Sequence, residues 1–377
     1  MVGIADLPLH YGRVPDYLLR TMREMTDVIS HVMLTEFGED EFIKRLSNPF
    51  WFQAFNNAVG MDWDSSGSTT VLLSLLKQTI TPEKDNIAIL GGKGKAALKV
   101  GSELNSLPSI FDVDKSDLYT KSRLSAKTDM TLLQDKHQLY IHSMIVTKSG
   151  NWLVIQQGMN PETKFARRYH LYNTLDFENS PNESITGQKG SAMDITAKEV
   201  SETRKIILDL LKSNDKNLVS EYREAVAKLK GETTLSMWEK NAAMGAFERD
   251  NSLEYYSPIS VEKLKGMLSK LKNTYFSSLS DAMLNGFSPS FARAMTLVSD
   301  LIYNKPPSFS DPVNYPYDPF KYAFAIGGKD GIPFPVNRKV AAEVVESMHQ
   351  IIMDSKLGDN RKRTAFRRLS ALTKNNV

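Results

Sequence analysis

Side chains that can hold an anion, move a proton or stack on a base crowd into one short stretch of this chain. Gln156-Gln157-Gly158-Met159-Asn160 is followed by Ala166-Arg167-Arg168-Tyr169-His170. Adjacent guanidinium groups grip phosphate oxygens in a fork. Tyr169 or Tyr172 offers a ring face to a base. The amides of Gln156, Gln157 and Asn160 donate and accept hydrogen bonds, and His170 can act as acid or base. Together these groups point to phosphate or nucleic-acid chemistry over an ordinary hydrogen-bonded loop.

A second group lies upstream. Ser122-Arg123-Leu124-Ser125-Ala126-Lys127-Thr128-Asp129 runs into Gln134-Asp135, and His142 follows on an apolar segment. In a phosphodiester-cleaving site, Asp129 and Asp135 would hold Mg²⁺ or Mn²⁺, Lys127 would stabilise developing charge, and His142 would shuttle a proton. Surface ion pairing is the plain alternative, because the spacing is not diagnostic. The candidate catalytic set is therefore Lys127, Asp129, Asp135, His142, Gln157, Arg168 and His170.

Gly91-Gly92-Lys93-Gly94-Lys95 follows a short β-like run, so its amides, with Lys93 and Lys95, could approach a phosphate. The spacing of a Walker A loop is absent. Leu284-Asn285-Gly286-Phe287-Ser288-Pro289-Ser290-Phe291-Ala292-Arg293-Ala294 places a glycine turn before a helix opened by proline. This stretch resembles a helix–hairpin–helix DNA-binding element, with Ser288 where a second glycine is usual. Ile332-Pro333-Phe334-Pro335-Val336-Asn337-Arg338-Lys339-Val340 is similar to a segment of helix–hairpin–helix DNA glycosylases. Asn337 stands where those enzymes carry a catalytic aspartate, and Ser290 where bifunctional members carry lysine. The resemblance implies a DNA-binding module without that chemistry, using Gly286, Ser288, Arg293, Lys329, Asn337 and Arg338 beside Lys93, Lys95 and Arg167.

The elements around these groups follow from periodicity. Helices are predicted over 15–47, 48–60 and 68–79, then a strand at 86–90. Residues 138–146 and 151–157 form a predicted β-hairpin around Thr147-Lys148-Ser149-Gly150. Alternation puts Leu139, Ile141, Ser143 and Ile145 on one face, and Gln138, Tyr140, His142, Met144 and Val146 on the other. Residues 178–192 are polar and mark a boundary or a long loop. Beyond them helices dominate, at 196–213, 217–230, 234–248, 260–273, 276–284, 289–303, 337–355 and 359–372. The expected fold class is α+β. A mixed domain over 1–190, built on a small antiparallel sheet, precedes an all-helical DNA-binding domain over 191–377.

The 377 residues, 41% hydrophobic and 24% charged, suit a water-soluble globular chain with room for two cores. No run is apolar enough to span a bilayer, the first residues lack signal-peptide character, and no cysteine is present. A cytoplasmic location without a membrane partner is expected. The net charge of +3 is small, but Arg361-Lys362-Arg363 and Arg367-Arg368 concentrate basicity near the end. A solvated helix explains that cluster equally well. His10, His31, His137 and His349 are isolated and read as structural.

Several strings in order resemble one prokaryotic family, domain-of-unknown-function family 763. They include Gly3-Ile4-Ala5-Asp6-Leu7-Pro8-Leu9-His10, Pro49-Phe50-Trp51-Phe52-Gln53-Ala54, Asp64-Ser65-Ser66-Gly67 and Gly327-Gly328-Lys329-Asp330-Gly331, with the 91–95, 156–160 and 166–170 segments above. This resemblance names no reaction. The functional expectation is a DNA-processing enzyme, first a nuclease acting in DNA repair. A DNA glycosylase with an unusual residue set and a non-catalytic nucleic-acid-binding protein are the alternatives.

Overall fold

The computed structural model describes residues 16–59, 66–213, 215–231, 255–272, 274–315, 338–355 and 357–374. Lys329 and Asn337 lie outside them, as do the 234–248 helix and the Gly3–His10 and 327–331 strings. Arg338 opens a helix, but its side chain is outside the described ones. The architecture is mixed α+β, as the periodicity implies.

Three helices come first: α1 (Asp16–Ser47), α2 (Pro49–Val59) and α3 (Ser66–Thr79). The short α4 (Pro82–Asp85) leads into β1 (Ile87–Lys93), a 3₁₀ turn (Gly94–Lys99) and α5 (Val100–Asn105). Next is α6 (Lys115–Lys127), capped by Asp114, whose carboxylate accepts from the Asp117 amide at 2.9 Å. A π-helical turn, Thr128–Leu132, widens its end before β2 (Leu133–Gln134).

The hairpin forms as expected, β3 (Gln138–Thr147) against β4 (Trp152–Met159). Strands β5 (Ala166–Tyr172) and β6 (Ser184–Thr186) complete a five-stranded antiparallel sheet ordered β1-β3-β4-β5-β6. A three-stranded sheet pairs β2 with β7 (Ser191–Asp194), and β7 with β8 (Ser308–Ser310). The remaining helices are α7 (Ser201–Lys212), α8 (Asp215–Leu229), α9 (Val261–Leu271), α10 (Leu279–Leu284), α11 (Pro289–Leu301), α12 (Arg338–Asp354) and α13 (Asp359–Lys374).

Helices cover both faces of the five-stranded sheet, so its strands are apolar on both sides. Ala88, Leu90, Met144, Val146, Trp152 and Val154 belong to a core with α5–α11. Ile87, Ile89, Ile141, Ile145, Leu153 and Ile155 belong to a second core with α1–α3, α12 and α13. The alternation expected for β3 is found from Ile141 onward. A bulge between Leu139 and Ile141 reverses it before that point. Leu139 then packs with the first core and Tyr140 with the second, because one extra residue flips the faces.

Each core draws on residues from both sides of position 190. The polar 178–192 stretch carries β6 and enters β7. The described part of the second half is mainly helical, as expected, with the short β7 and β8 joining the smaller sheet. No described helix is long and apolar enough to cross a membrane.

An ion cluster joins the two sheets. Arg167, 1% exposed on β5, donates to Asp135 Oδ2 at 2.7 Å, to Asp311 Oδ2 at 2.6 Å and to the Gln188 carbonyl at 2.7 Å. Tyr169 Oη donates to the same Asp135 oxygen at 2.6 Å, and the Gly190 amide to Asp311 Oδ2 at 2.6 Å. Truncating one member of such a buried set leaves the others charged and unpaired. Arg167→Ala is expected to lower unfolding free energy by about 3–5 kcal/mol in denaturant titrations. A loss as small as that of an exposed arginine such as Arg123→Ala would show that the cluster is not structural.

Candidate active site

Strand parity divides the candidate catalytic residues. In the register, Gly92, His142, Gln156 and Tyr169 stand side by side across β1, β3, β4 and β5. Gln157, Arg168 and Thr186 form the adjacent row. Neighbouring residues of a strand point to opposite faces. His142 and Gln156 therefore face α6, whereas Gln157, Arg168 and His170 face α1–α3. The sheet itself separates the two groups.

The α1–α3 side is interior. Arg168 is fully buried, 4.6 Å over the Phe52 ring, and donates to Thr69 Oγ1 at 3.3 Å. Gln157 donates to the Ser66 carbonyl at 2.8 Å and bonds the Tyr140 hydroxyl. His170 Nδ1 lies 2.8 Å from the Ser47 carbonyl, and burial together with Arg168 pushes its pKa down to about 3. These three residues are placed as packing and hydrogen-bonding groups under the helices. Arg167 likewise spends its guanidinium on two aspartates, so it presents no fork to a phosphate in this structure.

The other face assembles a relay. His142 Nε2 lies 2.7 Å from Ser122 Oγ, and its Nδ1 lies 2.8 Å from Gln156 Oε1. Gln156 Nε2 donates to Asp129 Oδ2 at 2.7 Å and to the Ser125 carbonyl at 3.2 Å. With two acceptors before it, that end of the amide must be the NH₂, so Oε1 accepts from His142 Nδ1–H. The remaining nitrogen, Nε2, is then the lone-pair nitrogen, and the Ser122 hydroxyl donates to it. Asn182 holds the far side of Asp129 at 2.8 Å.

Each member has a local cause. Ser122, Ser125 and Asp129 recur at helical spacing along the inner side of α6 and its π turn. His142 depends on Gly91, where an added Cβ would sit 2.3 Å from the His142 carbonyl oxygen. Gly91 also has φ +76°, outside the comfortable range of other residues. Its amide is taken by Glu103 Oε2 at 2.7 Å and its carbonyl by Lys77 at 2.8 Å, so this part of the glycine loop is occupied internally. Lys93 and Lys95 remain exposed beyond it.

The relay opens on a cleft of about 570 Å³, lined by Lys95, Tyr119, Ser122, Arg123, Tyr140 and His142 among others. His142 is 8% exposed, while Leu98 on the rim is 86% exposed. Lys93 projects over the Tyr140 ring at 5.8 Å, and Arg123 over the Tyr119 ring at 5.8 Å. Burial lowers the His142 pKa against the opposing Gln156 bond, so the imidazole is neutral near pH 7, with a lone pair free to accept a proton. Lys127 is half-buried, with its pKa lowered by burial and by Arg123.

The hairpin between α10 and α11 borders a neighbouring cleft. Gly286 is exposed in its turn at φ +119°, and Ser288 precedes Pro289 at the N-terminus of α11. Arg293 donates to Gln134 Oε1 at 2.7 Å, and Arg123 reaches the Leu284 carbonyl at 3.4 Å, fastening the hairpin to the sheet side.

The structure thus brings together Asp129 and His142, with Asp135 behind them in the ion cluster. The catalytic set read from the sequence leaves out Ser122 and Gln156, although both stand in the stretches singled out there. The hairpin turn contained the signal for Gln156, since pairing outward from Thr147 and Asn151 sets it opposite His142. No group of three metal-ligating His, Cys, Asp or Glu residues occurs among the described residues. Burial would raise the Asp135 pKa, but Arg167, His137 and Tyr169 hold it well below the usual carboxylate range. Burial instead drives Asp129 up to about 8 against the hydrogen bonds of Asn182 and Gln156, so it is largely protonated at neutral pH. A hard cation at Asp129 would have to displace that proton.

The Asp129 shift carries a definite sign. Its folded pKa lies above that of an ordinary aspartate, so its stabilisation is fully present below about pH 4 and is lost as pH rises through about 8. His170, depressed to about 3, acts in the opposite sense below about pH 6.5, so the informative comparison is between variant and wild type. Asp129→Asn should flatten the loss of stability between about pH 4 and about pH 8, followed by denaturant midpoints. An unchanged slope would mean that Asp129 does not carry the proton.

No curated protein and no solved structure matches this sequence. The family model described as "Protein of unknown function (DUF763)" matches residues 3–336. That span is most of the 377 residues, and the chain belongs to this family.

Proposed function

We propose that this protein is a nucleic-acid-processing hydrolase, with DNA its first candidate substrate, and that its working centre is Ser122 with His142. The observation that carries this reading is the hydrogen-bonded order Ser122–His142–Gln156–Asp129 ending in a cation-rimmed cleft. A serine held against a neutral, oriented imidazole is the arrangement that activates a hydroxyl nucleophile. Lys95 and Arg123 at the cleft supply the positive potential that draws in a phosphodiester. Tyr119 and Tyr140 supply ring faces for bases.

In the proposed step, His142 Nε2 takes the Ser122 proton as Oγ bonds to phosphorus. The P–O bond to the leaving nucleotide breaks, and the imidazolium returns the proton to that leaving oxygen. Water, deprotonated by the same imidazole, then releases the phosphate from Ser122 and restores the hydroxyl. Gln156 positions the ring throughout, and Asp129 positions Gln156. A repair role and a cytoplasmic site of action fit this reading.

A second reading has its own support in the low exposure of Ser122 and His142, which suits a structural pair. The protein would then bind nucleic acid without cleaving it, with strong salt dependence and no product under any metal condition.

The test uses purified protein with labelled single-stranded, duplex and damaged DNA, with and without Mg²⁺ or Mn²⁺. Cleavage is expected, with Ser122→Ala and His142→Ala each lowering kcat by at least about 100-fold. Free-base release from an intact backbone would indicate a glycosylase instead. The wild-type rate should rise to a plateau whose acidic limb lies below about pH 6.5, because burial depresses His142. Gln156→Glu should move that limb upward by placing a carboxylate against the ring. Full activity in Ser122→Ala and His142→Ala would remove the relay from the chemistry.

A further inference from the structure

Met130 is 44% exposed at the centre of the π-helical turn, and it lines two clefts at once. On one side is the His142 cleft. On the other is a cleft of about 640 Å³ whose walls include Gln134, Lys136, Tyr255, Pro289 and Arg293. Met130 thus borders both the cleft of the relay and the cleft walled by Pro289 and Arg293 of α11. A π turn inserts a residue into helical spacing and pushes side chains out of register, often at working sites. A large apolar side chain is thus left partly exposed on the border of both clefts.

Cations line both clefts, and the second also carries the acids Asp129, Asp135 and Glu162. Lys95 and Arg123 line the first, and Lys136 and Arg293 line the second. Arg293 binds Gln134 through Nη1, while its buried Nε has no hydrogen-bond partner. Gln134 is itself fixed to the Pro289 and Thr131 carbonyls, each at 3.0 Å, so Arg293 is held in place. Of the acids on the second cleft, Asp135 is bound by Arg167 and Asp129 by Gln156 and Asn182. Glu162 is exposed on the rim.

We propose that the two clefts form one groove for a single-stranded nucleic acid, with Met130 as a wedge between the bases of two neighbouring nucleotides. This rests on the nucleic-acid reading above and adds the path of the strand and its direction away from His142. Apolar wedges of this kind enter base steps and unstack them. The cations on either side hold the flanking phosphates. Opening a duplex step costs pairing as well as stacking energy, so the wedge favours an unpaired strand.

The experiment uses the full chain and fluorescent oligodeoxythymidylates of increasing length, with 2-aminopurine stepped along the strand. Affinity should climb with length until both clefts are covered, and 2-aminopurine should brighten at one position as it unstacks. Met130→Ala should abolish that brightening and weaken long oligomers on the order of tenfold. Met130→Leu should restore both, and Arg293→Ala should flatten the length series. Thermal unfolding of each variant separates these effects from misfolding. The groove is overturned if Met130→Ala keeps both signals, or if a duplex of the same sequence binds equally well. Wild-type protein that binds and cleaves while Met130→Ala changes nothing sinks the groove alone. Wild-type protein that holds no oligomer of any length sinks the functional reading as well.

Discussion

A guanidinium buried among acceptors from three segments is the constraint on which the rest of this structure depends. Arg167 reaches Asp135 beyond β2, Gln188 in the turn before β7 and Asp311 after β8. Tying both sheets together sets the start of β3, and with it the height of His142 beside α6. Burying such a charge is unfavourable unless every partner is in place. The cluster therefore specifies one arrangement of the loops around the cleft more strongly than apolar packing alone would. It also explains why two adjacent arginines, which look from the sequence like a phosphate fork, serve different interiors.

The second constraint is the pleat. With both faces of the sheet covered, each strand residue is committed to one core or the other. Polar residues can cooperate only with neighbours of their own parity. Gln156 and Gln157 are adjacent in the chain, yet one completes the His142 relay and the other bonds beneath α3. Density of functional residue types along a sequence is thus a poor guide to a site on a strand. Density at every second residue, combined with pairing, is the relevant measure.

The helices, the hairpin and the α+β class were legible because each rests on local periodicity. Leu153 and Ile155 alternate with Val154 and Gln156, and nothing distant is needed to read that. The two helices that flank Gly286 were legible for the same reason. The two shared cores were not, since α12 and α13 pack on α2 across nearly the whole chain length. The bulge at Leu139–Ile141 was hidden too, because it arises from pairing and leaves no local mark. Of the site, His142 and Asp129 were readable as chemistry-bearing residues. Their link through Gln156 needed the hairpin register, and Ser122 needed the packing of α6 onto the sheet. The burial of Arg168 and His170 was unreadable from residue type, since a buried arginine over an aromatic ring and an exposed one share the same sequence.

Charge then decides what sort of relay this can be. An ionised aspartate directly behind His142 would raise the ring's basicity and place negative charge close to an approaching phosphate. Here an amide stands between them, and the carboxyl beyond it is largely protonated at neutral pH. The relay orients the imidazole through neutral hydrogen bonds, leaving the electrostatic field of the cleft to Lys95 and Arg123 on its wall. A neutral dipole chain fixes direction without long-range repulsion, whereas a buried charge would be felt across the low-dielectric interior. That division leaves the cleft positive on the wall that carries Lys95 and Arg123. It is also why the protonation of Asp129, remote from the opening, matters to what the opening can accept.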